Sequence, residues 1–395
     1  MRISFYNFFH AGGIGRYTAD LLGALARHED LDIELMCTPQ FRWQAIEGVE
    51  VWPGLFPITH SMPNLRRARF LLGNWISPRR ALRRVNGRKA DIIHFSEFNH
   101  LTYPFWRRRL KRTGAKVVVS VHDVARQKAI LHRGWEDRNL IAFYRAADAL
   151  LVHSPQQVKS LQAFAGVWAD RIHLVPHGPV DYGPCKSSRQ DLHRAYGVPE
   201  SASVGLFFGQ LRDEKNLEGL LEALSLTNRR VYLIVAGQAG SRHRSGAYYE
   251  ALARQFGIAD RVQFRWGHVP DAEVPRLFTV ADWVALPYRR SFTSQSGVLN
   301  VAMQYERPVL VGTAPALAEA ARSEDIGEAV RGESPEYLAG ALERLLDRLE
   351  KPAAFDFAGY RARNSWAENA RITADIYRSL VHDQAARGVK SGAGV

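Results

Sequence analysis

Cysteine is scarce in this 395-residue chain, and long apolar runs are missing from it. The two cysteines, Cys37 and Cys185, lie far apart without metal-ligand spacing, which argues against a disulfide scaffold or a zinc site. No apolar run reaches the roughly 20 residues that a membrane-spanning helix needs, and the opening residues follow a strand pattern rather than that of a signal peptide. We therefore expect a cytoplasmic protein with an ordinary hydrophobic core.

Acidic residues are almost absent from the segment 61–116, which holds fifteen lysines and arginines but only Asp91 and Glu97. This segment alone accounts for the formal net charge of +13. Such a concentrated basic surface attracts anionic lipid head groups or nucleic acid. Because Phe70, Leu72 and Trp75 alternate with its arginines, we expect it to dock on an anionic membrane surface. Nucleic-acid binding and a merely solvated basic face are the alternatives.

Short β-type runs alternate with helix-length amphipathic segments along the whole chain, from "RISFYNFF" to "RPVLVG". This alternation predicts the α/β class, with parallel sheets covered by helices. The pattern restarts after the turn-rich stretch from Gly178 to Ser188. We therefore predict two doubly wound, Rossmann-like domains that face each other across a cleft, at 1–180 and 190–360. A helix at 361–382 and a disordered tail from Ala385 are expected to follow.

The loop "FFHAGGIGRYT" places glycines at positions 12, 13 and 15 between the first strand and a helix. A dinucleotide fingerprint would need a small residue where Thr18 stands, and an acidic residue about 20 positions later, so a nicotinamide cofactor is not predicted. Glycines let a ligand approach the backbone, and free amides at a helix start favour an anion. A tight turn without a ligand is the alternative.

Two further loops carry groups suited to an anion. Arg212 and Lys215 follow a buried strand in "LFFGQLRDEKN", so both cations could reach a diphosphate at the end of that strand. A second helix is predicted to open near Ser296 and Gly297, where it would offer further backbone amides. For the two cations, a solvated loop is the alternative.

Seven motifs, in order and spacing, resemble the family 4 retaining glycosyltransferases of the GT-B fold: "GGIGRYT", "SVHD", "VPHG", "GQLRDEKN", "VAGQAG", "RWGHVPDAEVPRLFTVADWVALPY" and "SGVLNVAMQYERPV". The resemblance covers Met1 to about Leu380. It implies that the C-terminal domain binds a nucleotide-sugar donor and that the N-terminal domain binds the acceptor. It also implies that the last helix, near Trp366, crosses back to the N-terminal domain. The donor is a substrate, expected to be a UDP- or GDP-sugar, and no cofactor is expected.

Site residues are carried over by position. The resemblance implies that His122 lies near the transferred sugar and that Arg212 and Lys215 neutralise the diphosphate; a strand-end histidine bonded to a neighbour is the alternative for His122. The implied donor-binding residues are Gly12, Gly13, Gly237, Val269, Thr293, Ser294, Gln295, Ser296, Gly297 and Val298. The implied acceptor-binding residues are Arg16 and Asp123.

The chain departs from the family pattern at three positions. The family's two glutamates fall at Thr293 and Val301, so recognition of the sugar is left to the hydroxyls and amides of a loop of the TQSG type, which a subset of the family carries. Glu306 stands where a small residue is usual. Because both glutamates are missing, a catalytically silent protein that binds a nucleotide sugar is one alternative function.

The resemblance implies that the acceptor hydroxyl attacks on the face from which the diphosphate leaves, and that the departing phosphate oxygen takes the proton. No D-x-D motif stands at a strand end, so metal independence is predicted. The basic segment suggests a lipid-linked saccharide, a lipopolysaccharide or an exopolysaccharide precursor as acceptor. A sugar-nucleotide epimerase remains an alternative; a phosphorylase is disfavoured because no pyridoxal-lysine motif is present.

Overall fold

The computed structural model describes residues 1–96, 100–125, 129–238, 243–292 and 296–392. The chain forms two compact units: unit 1 combines Met1–His177 with Ser365–Val395, and unit 2 is Gly178–Asn364. Each unit is a parallel sheet flanked by helices. The predicted α/β class with two Rossmann-like sheets is therefore confirmed.

The sheet of unit 1 has seven strands in the order β3-β2-β1-β4-β5-β6-β7. These strands are β1 (Arg2–Asn7), β2 (Asp32–Cys37), β3 (Glu50–Trp52), β4 (Ile92–Phe95), β5 (Lys116–Ser120), β6 (Ala149–Val152) and β7 (Ile172–Leu174). The helices between them are α1 (Gly12–Leu25), α2 (Pro63–Arg88), α3 (Tyr103–Arg112), α4 (Arg133–Ala146) and α5 (Pro155–Ala165).

The sheet of unit 2 has six strands in the order β10-β9-β8-β11-β12-β13. They are β8 (Ser203–Phe208), β9 (Val231–Gly237), β10 (Val262–Trp266), β11 (Trp283–Leu286), β12 (Val309–Val311) and β13 (Gly327–Ala329). The helices are α6 (Arg189–Ala195), α7 (Leu217–Leu226), α8 (Gly246–Gln255), α9 (Val274–Val280), α10 (Gly297–Gln304), α11 (Pro315–Ser323), α12 (Pro335–Leu349) and α13 (Phe357–Arg363).

The central strands are apolar on both faces because helices cover both faces of each sheet. In β5 and β6, Val119 and Leu150 belong to one hydrophobic core, whereas Val118 and Leu151 belong to the core on the opposite face. Successive side chains of a strand point to opposite faces, so a sheet buried on both sides requires uninterrupted apolar runs. These are the runs that predicted the strands.

Strand order reverses at β1 in unit 1, which lies between β2 and β4, and at β8 in unit 2, which lies between β9 and β11. In open parallel sheets, ligands bind beyond the carboxyl ends of the strands at such a reversal. The loops after β1, β8 and β11 are therefore the expected ligand sites. The loops after β8 and β11 contain Lys215 and Ser296, and the loop after β1 leads directly into Gly12, the first residue of α1.

The last helix, α14 (Trp366–Gly392), returns to unit 1. Ala374 and Tyr377 share a core with Leu21 of α1, and Arg378 pairs with Asp30 at 2.8 Å. The helix starts later than the predicted 361 and continues past 382. The prediction of a disordered tail from Ala385 is wrong as far as Gly392, since alanine, arginine and lysine favour continuation of a helix. Residues 393–395 lie outside the described part of the chain.

Two strands have no counterpart in the sequence prediction. Both β3 and β13 are three residues long and lie at sheet edges, and β13 consists of Gly-Glu-Ala, which has no apolar pattern. Backbone pairing with a neighbour defines them, as when Gly327 lies opposite Val309. Short edge strands of this kind lack the apolar side-chain pattern from which strands are predicted.

No helix in the described ranges is long and apolar enough to cross a lipid bilayer.

Candidate functional site

Lys215 ends a short 3-10 turn, Asp213–Lys215, that follows β8. Its side chain is buried, with 6% of the residue exposed, and no carboxylate of the described residues pairs with it. The Nζ atom lies 5.2 Å from the centroid of the Tyr288 ring. A buried cation without a counter-ion is costly, so this position favours an anionic ligand.

The start of α10 lies near the same lysine. A Cβ atom placed on Gly209, just after β8, would lie 3.5 Å from Nζ of Lys215 and 3.6 Å from Cγ2 of Val298. The N-cap residue of α10 is Ser296; its side chain makes no capping hydrogen bond, and the first turn contains no acidic residue. The amides of Gly297 and its neighbours therefore keep the positive end of the helix available to an anion.

Arg212 lies in the same loop but in a different electrostatic setting. Its Nε atom is 3.2 Å from Oε1 of Glu214, and its guanidinium carbon lies 5.3 Å from the centroid of the Phe292 ring. The carboxylate partly offsets the charge of Arg212. Of the two predicted cations, Lys215 is therefore the stronger candidate for an anion contact.

Other predicted donor residues have structural roles or lie outside the described ranges. A Cβ on Gly237 would lie 1.8 Å from the carbonyl oxygen of Gly209, so the packing of two strand ends requires glycine there. Val269 is half-buried against the core of unit 2. The predicted residues outside the described ranges are Thr293, Ser294 and Gln295. All the donor-binding assignments stay predictions.

Two of the positions that depart from the family pattern have clear local environments. Val301 is buried in the core of unit 2, with 3% of the residue exposed. Glu306, just after α10, has φ of 52° and pairs through its carboxylate with Arg361 at 2.6 Å. Left-handed backbone at the end of a helix usually takes glycine, which explains why a small residue is usual at this position.

In unit 1, the glycine-rich loop forms the start of α1. Gly12 has φ of +81°, which favours glycine, and a Cβ on Gly13 would meet nothing within 4 Å. The N-cap residue, Ala11, cannot cap the helix with its side chain, and the first turn has no acidic residue. Arg16 bonds through Nε to Asp20 at 2.8 Å, so the predicted acceptor residue is already paired within its helix.

His122 lies just beyond β5, and no described residue bonds its buried Nε2 atom. Its ring lies edge-on to that of Tyr17, with 4.6 Å between the centroids. Burial lowers the pKa of His122 to about 3, and the nearby His177 adds to this effect, so the imidazole is neutral at pH 7. Asp123 is exposed, and its carbonyl accepts a hydrogen bond from the Tyr144 hydroxyl.

Tyr17 is the centre of an aromatic cluster that the sequence interpretation missed. The rings of His153, His177 and Trp366 lie with their centroids 5.1, 5.1 and 5.2 Å from the Tyr17 ring. Burial raises the pKa of Tyr17 to about 12. One sequence feature points to the three histidines of this cluster: "SVHD", "LLVHS" and "LVPHG" each place a histidine just after a strand. Within the described ranges, no three His, Cys, Asp or Glu side chains are arranged to hold a metal ion.

Two family models match the chain. Residues 12–178 match the glycosyl transferase 4-like domain, and residues 202–348 match the model of glycosyl transferases group 1. The two matches fall in unit 1 and unit 2 respectively, except for the last residue of the first match.

Curated relatives carry the name D-inositol 3-phosphate glycosyltransferase. The protein from Acidothermus cellulolyticus is 30% identical over 313 residues, which cover 74% of this chain and 68% of the relative. The enzyme named D-inositol 3-phosphate glycosyltransferase 2 from Catenulispora acidiphila is 29% identical over 253 residues, covering 60% of this chain and 57% of the relative. The chain thus spans little more than half the length of the second relative.

Solved structures share the fold at low sequence identity. Anabaena HepE, solved in complex with UDP, is similar with a TM-score of 0.72 and 18% identity, covering 96% of this chain and all of that chain. A glycosyltransferase from Rickettsia africae has a TM-score of 0.71 and 16% identity, covering 96% of this chain and 98% of that one.

Proposed function

Because the chain belongs to the family 4 glycosyltransferases of the GT-B fold, we propose that it transfers a sugar from a nucleotide-diphosphate sugar to an acceptor hydroxyl. The observation that carries the proposal is buried Lys215, which has no described acidic partner and lies beside the uncapped start of α10. The Anabaena neighbour was solved with UDP and with UDP-glucose, which supports a UDP-sugar as donor. A GDP-sugar is the alternative donor.

In this proposal, the residues of unit 2 act on the leaving group. Lys215, Arg212 and the amides at the start of α10 stabilise the negative charge that develops on the diphosphate as the glycosidic bond breaks. Groups held in place by the fold do this without reorganisation, which makes them more effective than water. Thr293, Ser294 and Gln295 are the proposed contacts to the sugar.

Unit 1 is proposed to bind the acceptor, near His122 and Asp123. The acceptor hydroxyl attacks the anomeric carbon on the face from which the diphosphate departs, and the departing phosphate oxygen takes its proton. Configuration is thereby retained. The acceptor classes that we propose are a lipid-linked saccharide, a lipopolysaccharide or an exopolysaccharide precursor. We also propose a cyclitol phosphate as an acceptor class, because the curated relatives are named for D-inositol 3-phosphate.

We expect the protein to transfer sugar from a nucleotide sugar to an acceptor without a divalent metal ion, and this can be tested directly. The protein would be incubated in EDTA with UDP-glucose or GDP-mannose and a panel of acceptors, and the anomer of the first-formed product would be assigned by proton NMR. We expect one nucleotide to be released together with a product of retained configuration. Inverted product would contradict the proposed mechanism, and activity only after magnesium is restored would contradict metal independence.

We also propose that α2 and α3 of unit 1 dock on an anionic membrane surface. Several large apolar side chains on this face are exposed: Met62, Leu65, Leu72, Trp75 and Phe105. The rings of Trp75 and Phe105 lie 4.5 Å apart, and Arg79 lies over the Trp75 ring. Exposed apolar groups among cations suit the boundary between lipid head groups and acyl chains.

Two groups of cations in this region have different surroundings. Arg84 and Arg88 form ion pairs with acidic residues of the neighbouring strands, which are Asp32, Glu34 and Glu50. By contrast, Arg107, Arg108 and Lys111 line a cleft of about 680 Å³ beside α3, where the one acidic lining residue is Asp148. The second group is therefore the one that we propose to contact lipid head groups.

Loss of two aromatic side chains should weaken this docking. We expect the double variant Trp75→Ser, Phe105→Ser to bind vesicles containing phosphatidylglycerol at least about tenfold more weakly, because the variant lacks two exposed rings that docking would bury in the membrane. Flotation would measure this, with pure phosphatidylcholine vesicles for comparison. Tyr337→Ser is the matched control, since Tyr337 and Phe105 are both 52% exposed. Equal flotation of the double variant and the wild type, or a nucleic-acid gel shift without flotation, would contradict the membrane proposal.

A further inference from the structure

Three histidines follow three successive strands of unit 1. His122 lies just beyond β5, His153 directly follows β6, and His177 lies beyond β7. Centroid distances of 5.5 Å separate the ring of His153 from the rings of both His122 and His177. Because these strands are parallel, the three imidazoles lie together at the carboxyl edge of the sheet, where ligands of such sheets bind.

The hydrogen bond of His153 determines which of its nitrogens carries the proton. Nδ1 lies 3.1 Å from the carbonyl oxygen of Val175, and a carbonyl can only accept a hydrogen bond. Burial lowers the pKa of His153 well below its ordinary value, so the ring is neutral at pH 7 and has one N–H group. That proton is on Nδ1, which leaves Nε2 as a bare acceptor.

No described residue donates to this acceptor. Nε2 of His153 is buried without a hydrogen-bond partner, and the same holds for Nε2 of His122. The hydroxyl of Tyr17, whose ring touches both imidazoles, is engaged with Ser120 and Asn369. A buried acceptor left without a donor is costly, so Nε2 of His153 favours a donor from outside the described residues.

The same edge holds other buried polar atoms without described partners. These include Nδ2 of Asn7, at the end of β1, and Oγ1 of Thr38, which directly follows β2. The edge therefore offers an amide donor and a hydroxyl as well as imidazole acceptors. A fully ionised phosphate has only acceptor oxygens and cannot satisfy an imidazole lone pair, whereas a hydroxyl both donates and accepts.

From this geometry we infer that His153 is a substrate-binding residue whose Nε2 accepts a hydrogen bond from a hydroxyl of the acceptor. The carboxyl edge of β5 to β7 then binds the polyhydroxylated part of the acceptor, a sugar or cyclitol ring, and any phosphate of that substrate lies elsewhere. This inference rests on the proposed function, because it identifies the part of the acceptor that unit 1 binds.

The test uses the full chain labelled with ¹⁵N in its histidines. Long-range ¹H–¹⁵N spectra distinguish a bare ring nitrogen from a protonated one. The two probes are myo-inositol, which has only hydroxyls, and inorganic sulfate, which is fully ionised near pH 7 and has only acceptor oxygens. We expect His153 to have a bare Nε2 whose resonance moves upfield with myo-inositol and does not respond to sulfate. A protonated Nε2, a response to sulfate, or no response to saturating myo-inositol would overturn the inference.

Variants separate this binding role from a structural one. His153→Leu removes the acceptor and should weaken myo-inositol binding about fivefold to tenfold, whereas His153→Gln, which keeps an acceptor oxygen, should weaken it less. His28→Gln, in the turn after α1, is the control and should bind as the wild type does. Stabilisation by UDP, measured on the same proteins, should not change. If UDP fails to stabilise even the wild type, the donor proposal fails while the imidazole result still stands.

Discussion

Replacing Lys215 with alanine is expected to lower turnover of the nucleotide sugar about 10²- to 10³-fold, the usual effect of removing one preorganised group that stabilises an oxyanion. Lys215 has no described carboxylate partner, and its Nζ lies over the Tyr288 ring next to the start of α10. Its charge is therefore available to a leaving diphosphate. Steady-state kinetics with the donor identified for the wild type would measure the loss.

The same substitution should leave unit 2 folded. A buried cation without a counter-ion does not stabilise the native state, so its removal should keep or raise the melting temperature. Lys351→Ala, which removes an exposed lysine from the same unit, is the control and should keep full activity. Wild-type turnover in Lys215→Ala, or an equal loss in Lys351→Ala, would refute the role assigned to Lys215.

Acid is expected to destabilise unit 1 strongly. Burial lowers the pKa values of both His94 and His122 to about 3 and that of His153 in the same direction, whereas histidine in an unfolded chain titrates near 6.5. Between those values the unfolded state binds protons that the folded state does not. The free energy of unfolding should therefore fall as the pH drops below about 6.5, by up to about 1.4 kcal/mol per pH unit for the fully buried His94.

Urea denaturation at pH 7.5, 6.5 and 5.5, followed by a signal from unit 1, would measure this loss. His122 and His153 should make the free energy of unfolding depend more steeply on pH. His153→Gln should therefore make that dependence shallower, whereas His28→Gln should leave it unchanged. The loss should continue toward the folded-state pKa values near 3. A free energy of unfolding that stays constant between pH 7.5 and 5.5 would show that the imidazoles are not buried as described.

Much of the fold was predictable because helices cover both faces of each sheet. Buried runs such as "KVVVS" and "VYLIVAG" must be apolar along their whole length, and this property is visible in the sequence. The edge strands β3 and β13 were missed because backbone pairing, rather than side-chain pattern, defines them. The extent of α14 was missed because polar helix formers resemble a disordered tail.

The candidate site was predictable where it depends on local chain order. Glycines after a first strand, and cations after a later one, lie at carboxyl ends of strands in any parallel sheet, which explains the positions of Gly12 and Lys215. The cluster around Tyr17 could not be predicted, since His153 and Trp366 meet it only through the tertiary fold. The ion pair of Arg212 with Glu214, two residues away in the sequence, depends on the conformation of the loop, which the sequence pattern did not reveal.

The most direct test of the central claim, that unit 2 binds a nucleotide sugar through Lys215, is a comparison of melting temperatures with and without nucleotide in EDTA. A ligand that binds only the folded protein stabilises it by about 2.7 kcal/mol at 100 times its Kd. We predict that UDP or GDP raises the melting temperature of the wild type without magnesium, and that Lys215→Ala loses most of that rise. If neither nucleotide stabilises the wild type, or if both proteins are stabilised equally, the claim is contradicted.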